Sequence, residues 1–227
     1  MNYSLILDLP RLENFVETFL PDLKREEMFL ITLFARKKYC PSLKIGDKTC
    51  LKRLTANKKN LISKIRQMEC AMGSYVTQHN EPIPQEALAV YITVNPRNLE
   101  KAAINGTKAL LNLITKTYTD YNPHQIVLSE IQKAQARSVF IDFDFDAPYT
   151  EDFLDRLKDN LNPNCYNILI TKNGFHVLVR PQLVDAKFQK TWFSYLNLMP
   201  ECDVTGDSLI PIPGCSQGNF NPYLLMS

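Results

Sequence analysis

Hydrophobic and polar residues alternate most cleanly at residues 139–146, where Val139, Ile141, Phe143 and Phe145 are interleaved with Asp142, Asp144 and Asp146. Successive side chains of a strand point to opposite faces, so this segment predicts a strand with one apolar and one acidic face. Two shorter strands, 166–171 and 175–180, flank Lys172, Asn173 and Gly174. Asn-Gly predicts a two-residue hairpin turn with positive φ at both turn positions. In that register Lys172 pairs with Phe175, and Thr171 sits opposite His176. The β-branched and aromatic run at 88–95 predicts another strand, turned by Asn95-Pro96-Arg97-Asn98.

Elsewhere the period is helical. Residues 10–20, 24–39 and 49–72 carry apolar residues at helical spacing, with Pro41, Gly46 and Gly73 as breaks. The polar stretch 77–85, with two prolines, reads as a linker. Helices are expected at 99–118 and 124–137, from a Thr150 cap to about residue 160, and from an Asp185 cap over 186–198. The tail beyond residue 198 reads as irregular, with one or two short strands. The expected class is α+β, with a helical, basic N-terminal region at 1–80 and a mixed sheet with flanking helices at 81–227.

Composition adds little to this: 45% hydrophobic and 22% charged is an ordinary globular balance. No basic-then-apolar leader is apparent, and the run 87–94 is too short to span a bilayer, so no membrane is expected. Six cysteines without C-x-x-C spacing point to reduced thiols and a cytoplasmic location. Charge is more informative. Residues 36–66 hold eleven Lys or Arg and one acid, Asp47, whereas residues from 81 onward hold twelve basic and sixteen acidic residues. A basic segment joined to an acidic remainder suggests a polyanion contact beside a carboxylate site. Arg36, Lys37, Lys38, Lys52, Arg53, Lys58 and Lys59 are the candidate nucleic-acid contacts. A solvated helix face would account for the same charge run.

The acidic row is not a calcium loop, because Ala147 and Phe153 stand where that loop needs Gly and Glu. Carboxylates projecting together from a strand suit hard cations, Mg²⁺ or Mn²⁺; an exposed outer strand face is the plain alternative. Asp203 and Asp207 offer a third carboxylate. Thr171 and His176 offer a hydroxyl beside an imidazole, with Lys172 at the turn.

Ile141-Asp142-Phe143-Asp144, then Thr171-Lys172-Asn173-Gly174-Phe175-His176, then an acid leading into Ile212-Pro213-Gly214-Cys215-Ser216-Gln217, resembles the archaeo-eukaryotic primase superfamily, the primase-polymerases, over about 90–225. That family is marked by a D-x-D or D-x-E pair, an S-x-H-type motif and a lone hydrophobic-Asp. In this chain three residues separate Thr171 from Phe175-His176. The resemblance implies an RRM-like catalytic core that copies or primes nucleic acid from nucleoside triphosphates with Mg²⁺ or Mn²⁺. Asp142 and Asp144 would be metal ligands and His176 would contact the triphosphate. Asp203 or Asp207 would be the third ligand, Cys202-Asp203-Val204 fitting hydrophobic-Asp better. Arg97, in a turn similar to phage and mobile-element relatives, would face phosphate or template. Catalysis is thus expected from Asp142, Asp144, His176 and Asp203, and nucleotide binding from Thr171, Lys172, His176 and Arg97. The partners would be a single-stranded DNA or RNA template and a helicase or other replication protein. Two other readings stand beside it: a non-catalytic nucleic-acid-binding replication protein, and another Asp-based metal enzyme, a nuclease or sugar-nucleotide transferase. For the last, His79 and His124 lie outside the motifs.

Overall fold

The segment expected to be the second helix is a strand. In the computed structural model, which describes residues 1–114 and 122–225, β1 runs over Glu27–Arg36. Phe29, Ile31, Leu33 and Ala35 enter the main core with Leu12, Phe15 and Ile65, while Phe34 packs with Tyr39 and Tyr91 in a smaller cluster. A strand covered on both faces reads as a continuous apolar run, and that run mimics a buried helix. β2 (Lys48–Ala56) returns antiparallel to β1. The helix expected over 49–72 therefore shrinks to α2 (Leu61–Arg66). Near the N-terminus, α1 (Leu9–Asn14) starts where the Asp8 carboxylate accepts from Arg11 N, and continues as a π-helical turn over Phe15–Phe19.

The first sheet has the order β2-β1-β3-β9, with β4 (Arg97–Asn98) pairing the start of β1. β3 is Leu88–Thr93 and β9 is Leu209–Pro211. Because β1 pairs β3 directly, the division expected near residue 80 falls inside one sheet and one core. The N-terminal region is a β-hairpin with short helices, not a helical unit.

The second sheet has the order β10-β6-β7-β5-β8. Its strands are β5 (Ile141–Phe145), β6 (Tyr166–Ile170), β7 (Phe175–Val179), β8 (Cys202–Gly206) and β10 (Tyr223–Leu224). All its pairings are antiparallel. α5 (Glu151–Lys158) joins β5 to β6, and α6 (Trp192–Asn197) joins β7 to β8. Thr150 caps α5 as expected, its hydroxyl accepting from Phe153 N. α6 starts later than expected. Residues 186–191 form turns, and Asp185 accepts from Phe188 N through its backbone carbonyl rather than capping a helix. The protein is thus α+β, with two antiparallel sheets and six α-helices among the described residues.

Between the sheets in sequence, α3 (Leu99–Ile114) and α4 (Pro123–Lys133) pack on each other. The expected extension of α3 through 115–118 lies outside the described residues. No helix among the described residues is long and apolar enough to cross a membrane.

The two faces of the second sheet divide the labour. Phe143, Phe145, Phe175 and Val177 pack with Phe153, Leu157, Trp192 and Leu196 from the α5 and α6 side. On the other face, Leu169 and Leu178 join the core of the first sheet. Asp142 lies opposite Leu178, and Asp144 opposite His176. Directly paired residues share a face, so Asp142 and Asp144 look toward the first sheet, while Asp146, past the end of β5, is exposed.

Candidate functional site

A polar cleft of about 160 Å³ lies where the two sheets meet. β5, β7 and β8 supply Asp144, His176 and Asp203. Asp203 reaches it through a bulge. Asp144 pairs with Val204 and Phe145 with Cys202, so Asp203 is the extra residue on β8. Without the bulge it would oppose Phe145 and point to the apolar face; the insertion re-aims it.

Asp142 stands behind this wall. It is fully buried, and its Oδ1 lies 2.9 Å from His176 Nδ1. The other ring nitrogen, Nε2, is 3.6 Å from Asp144 Oδ1. The imidazole is held between two carboxylates. Burial pulls the His176 pKa down, but the charge and hydrogen bond of Asp142, with the charge of Asp144, outweigh it and leave the ring above its ordinary value. The Asp144 carboxyl is pushed up by burial and by the charges of Asp142 and Asp203, against the pull of His176 and Lys38.

The opposite wall is cationic. Arg36 at the end of β1 and Lys48 at the start of β2 are direct cross-strand partners, and both line the cleft with Lys38 and Tyr91. Arg36 Nη1 donates to the Tyr91 hydroxyl at 3.0 Å, and its Nε is buried without a partner. Lys48 Nζ sits 4.3 Å from the Phe34 ring centre and 4.9 Å from that of Tyr91. Partial burial, then the charge of Arg36, lower its pKa to about 8, although Asp144 pulls the other way.

The hairpin between β6 and β7 differs from its sequence reading. Ile170 pairs with Phe175 and Leu169 with His176. Thr171 N donates to Gly174 O at 2.9 Å, so Lys172 and Asn173 occupy the turn. None of these turn residues has positive φ. Gly174 is needed for another reason: a Cβ there would stand 2.1 Å from Phe145 O. Thr171 still lines the cleft, with Asn173 and Gly174. Lys172 does not; its ammonium donates to Gly218 O and lies over the Tyr39 ring.

Two other expected site residues leave the cleft together. Arg97 is buried and paired through both terminal nitrogens with the Asp207 carboxylate. Asn95 Nδ2 donates to Asp207 Oδ1 and to Phe140 O, and Asn95 Oδ1 accepts from Val139 N and Phe140 N. Arg97 and Asp207 thus fasten β4 to the segment after β8, and neither lines the cleft. This favours Asp203 over Asp207 as the third acid. Of the seven basic residues expected to meet nucleic acid, Arg36 and Lys38 line the cleft. Lys52 donates to Gln67 O and Lys58 pairs with Asp22, Arg53 lies opposite Thr32, and Lys37 and Lys59 are exposed.

Lys48, Tyr91, Asn173 and Gln217 line the cleft without having been singled out for it, and Asp146 of the acidic row lines it too. The signal for Lys48 was only its place in the basic run; its register against Arg36 depends on two strands that resemble helices in sequence.

Hard-oxygen donors are present for a divalent cation. Asp144 and Asp203 reach the cleft, and Asp142 Oδ2 is buried without a partner. No three His, Cys, Asp or Glu side chains among the described residues are grouped to hold an ion unaided. That set suits Mg²⁺, which commonly uses one or two carboxylates and takes its remaining ligands from substrate phosphates and water. A larger pocket of about 620 Å³, lined by Tyr149, Leu154, Tyr166 and Ile168, gathers none of these groups.

No protein-family model, no curated protein and no solved structure matches this chain.

Proposed function

We propose that the protein is a nucleotidyltransferase of the primase-polymerase kind, extending or initiating nucleic-acid chains from nucleoside triphosphates. The observation that carries this reading is the opposition of Arg36, Lys38 and Lys48 to Asp144, Asp203 and His176 across one cleft. Phosphoryl transfer asks for positioning and charge stabilisation more than for covalent chemistry, and such a cleft supplies cations for phosphates beside carboxylates for a metal. The chain order β5-α5-β6-β7-α6-β8, with β5 between β7 and β8, supports the reading too. It is the split β-α-β order expected of an RRM-like core.

In this reading Asp144 and Asp203 hold Mg²⁺ or Mn²⁺, and Asp142 sets the ring of His176. When bound, the cation neutralises phosphate charge and lowers the pKa of a hydroxyl nucleophile. Arg36, Lys38 and Lys48 draw in the triphosphate. His176, charged and held between two carboxylates, donates Nε2–H toward a phosphate oxygen.

The test is incubation with single-stranded DNA, labelled nucleotides and Mn²⁺, with product length read on a gel. Wild type should incorporate nucleotide and Asp144→Asn should not, while melting at the same or a higher temperature without metal, because the substitution removes a carboxylate crowded by Asp142 and Asp203. Failure of wild type to incorporate any nucleotide would hand the fold to a non-catalytic nucleic-acid-binding role.

A further inference from the structure

The second sheet carries another cavity on the face turned away from its acids. Tyr166 and Ile168 of β6 belong to the core that α5 and α6 cover, whereas Asp144 and His176 share the opposite face, toward the first sheet. Between α5, β6 and Leu225 lies the pocket of about 620 Å³, inside the ~300–1,000 Å³ range of small-molecule sites. Its walls are largely apolar, formed by Tyr149, Leu154, Pro163, Tyr166, Ile168 and Leu225.

A buried phenol marks the inside of this pocket. Tyr166 is 5% exposed, and a buried tyrosine hydroxyl ordinarily finds a hydrogen-bond partner. This one has none among the described residues. It is not sealed off either, so it opens into the cavity that Tyr166 lines.

The rim adds a sign of charge. Glu151, Asp155 and Lys158 of α5 all line the pocket. Lys158 is already paired with Asp155 at 3.0 Å, which leaves the Glu151 carboxylate with no ion pair or hydrogen bond among the described residues. The Tyr149 hydroxyl registers that balance. Burial and then the charge of Glu151 raise its pKa; Lys158 opposes them and Asp155 adds to them. The pocket therefore repels an anionic ligand. It suits an apolar ring bearing a cation, which gains from Glu151 and from the faces of the two tyrosines.

We infer that this pocket binds a small aromatic amine, its ring between α5 and β6, its ammonium toward Glu151, and a ring N–H donated to the Tyr166 hydroxyl. The site lies across the sheet from the cleft and does not rest on the polymerase reading.

An NMR titration of the isotope-labelled full chain, without metal or nucleotide, tests this with three probes: tryptamine, its neutral analogue tryptophol and its anionic analogue indole-3-acetate. Tryptamine should saturate with a Kd below about 1 mM. It should shift the amides of Leu154, Asn167 and Leu225 and leave those of Asn173 and Gly174, in the cleft, unmoved. Tryptophol should bind about tenfold more weakly, through the loss of one charge-assisted contact, and indole-3-acetate more weakly still. Glu151→Gln should erase the difference between amine and alcohol and leave tryptophol unchanged. Tyr166→Phe should weaken both by the same factor, about fivefold, with the spectrum otherwise intact because the ring stays in the core. Indole-3-acetate binding as tightly as tryptamine, or an undiminished amine preference in Glu151→Gln, would overturn the assignment of an amine. No saturable shift from any probe, shifts confined to the cleft, or full affinity in Tyr166→Phe would overturn the pocket. None of these results bears on nucleotide incorporation, so the two readings stand or fall separately.

Discussion

Asp142 and His176 form a buried pair, Oδ1 to Nδ1 at 2.9 Å, although Asp142 is not in register with His176 but with its neighbour-but-one, Leu178. The carboxylate reaches diagonally along the sheet face to hold the ring, whose other nitrogen then faces Asp144. Acid, imidazole and acid alternate along one face, and the positive ring is what lets two carboxylates of the same strand share it.

This arrangement predicts how stability depends on pH. The His176 pKa is raised in the folded protein, so the pair's contribution is fully present below about pH 6.5, the ordinary histidine value, and is lost as pH rises through the folded value. Urea midpoints should fall across that window in wild type. Asp142→Asn should lose about 3 kcal/mol at pH 6, as expected when a buried ion pair loses one partner, and its midpoint should vary less with pH. An equal pH dependence in wild type and variant would show that Asp142 does not hold the ring charged.

Asp203 and Asp207 are separated by three residues and should behave oppositely. Mn²⁺ should raise the wild-type melting temperature and Asp203→Asn should abolish that rise, with little change in the metal-free melt; a ligand stabilises only through the state that binds it. Asp207→Asn should keep the Mn²⁺ effect and lower the metal-free stability by about 3 kcal/mol, because Arg97 is left buried without its partner. Exchange of the two phenotypes would move the third acid to Asp207.

Lys48 should impose an alkaline limit on anion binding. Its pKa of about 8 means that the free protein loses this charge between pH 7 and pH 9. Affinity for a Mg²⁺-bound nucleoside triphosphate should fall across that window and then level off, by about tenfold in all, the loss of one charge-assisted contact. Lys48→Arg keeps its charge throughout and should give a flat profile, measured by calorimetric titration at pH 7, 8 and 9.

Gly174→Ala should destabilise strongly for a turn substitution. The added methyl would meet the Phe145 carbonyl at 2.1 Å, a backbone atom on the strand that carries Asp144, and neither strand can yield without breaking the β5–β7 ladder. A loss of about 3 kcal/mol is expected, at the upper end of ordinary overpacking, with a matching fall in the denaturant midpoint. A loss below about 0.5 kcal/mol would mean that the turn swings freely away from Phe145.

The second sheet was largely legible in the sequence, and the first was not. The acidic strand announced itself because one face is apolar and the other is not, which is the condition under which period two appears. The Asn173-Gly174 dipeptide marked the right hairpin for the wrong reason and displaced the register, because glycine was read as a backbone requirement when it answers a close contact with Phe145. β1 gave no period because Phe29 and Phe34 are buried on opposite faces. With β1 and β2 read as helices, the facing of Arg36 by Lys48 was out of reach, since it exists only in the ladder. For the same reason Asp203 could be named as an acid but not aimed; the bulge that turns it into the cleft belongs to its pairing with β5.

The return of β9 to the first sheet has a consequence for a chain emerging from the ribosome. β3 pairs β1 on one edge and β9 on the other, and the entire second sheet apart from β10 is made between residue 93 and residue 209. At ~5–20 residues per second the free edge of β3 therefore waits for roughly 10 s of synthesis before its partner exists. During that interval a row of unpaired backbone amides and carbonyls on a strand that the finished fold buries along its whole length is open to any neighbouring nascent chain. Vectorial synthesis thus leaves one identifiable edge uncovered until late, and a chain stopped before residue 209 would carry an incomplete sheet.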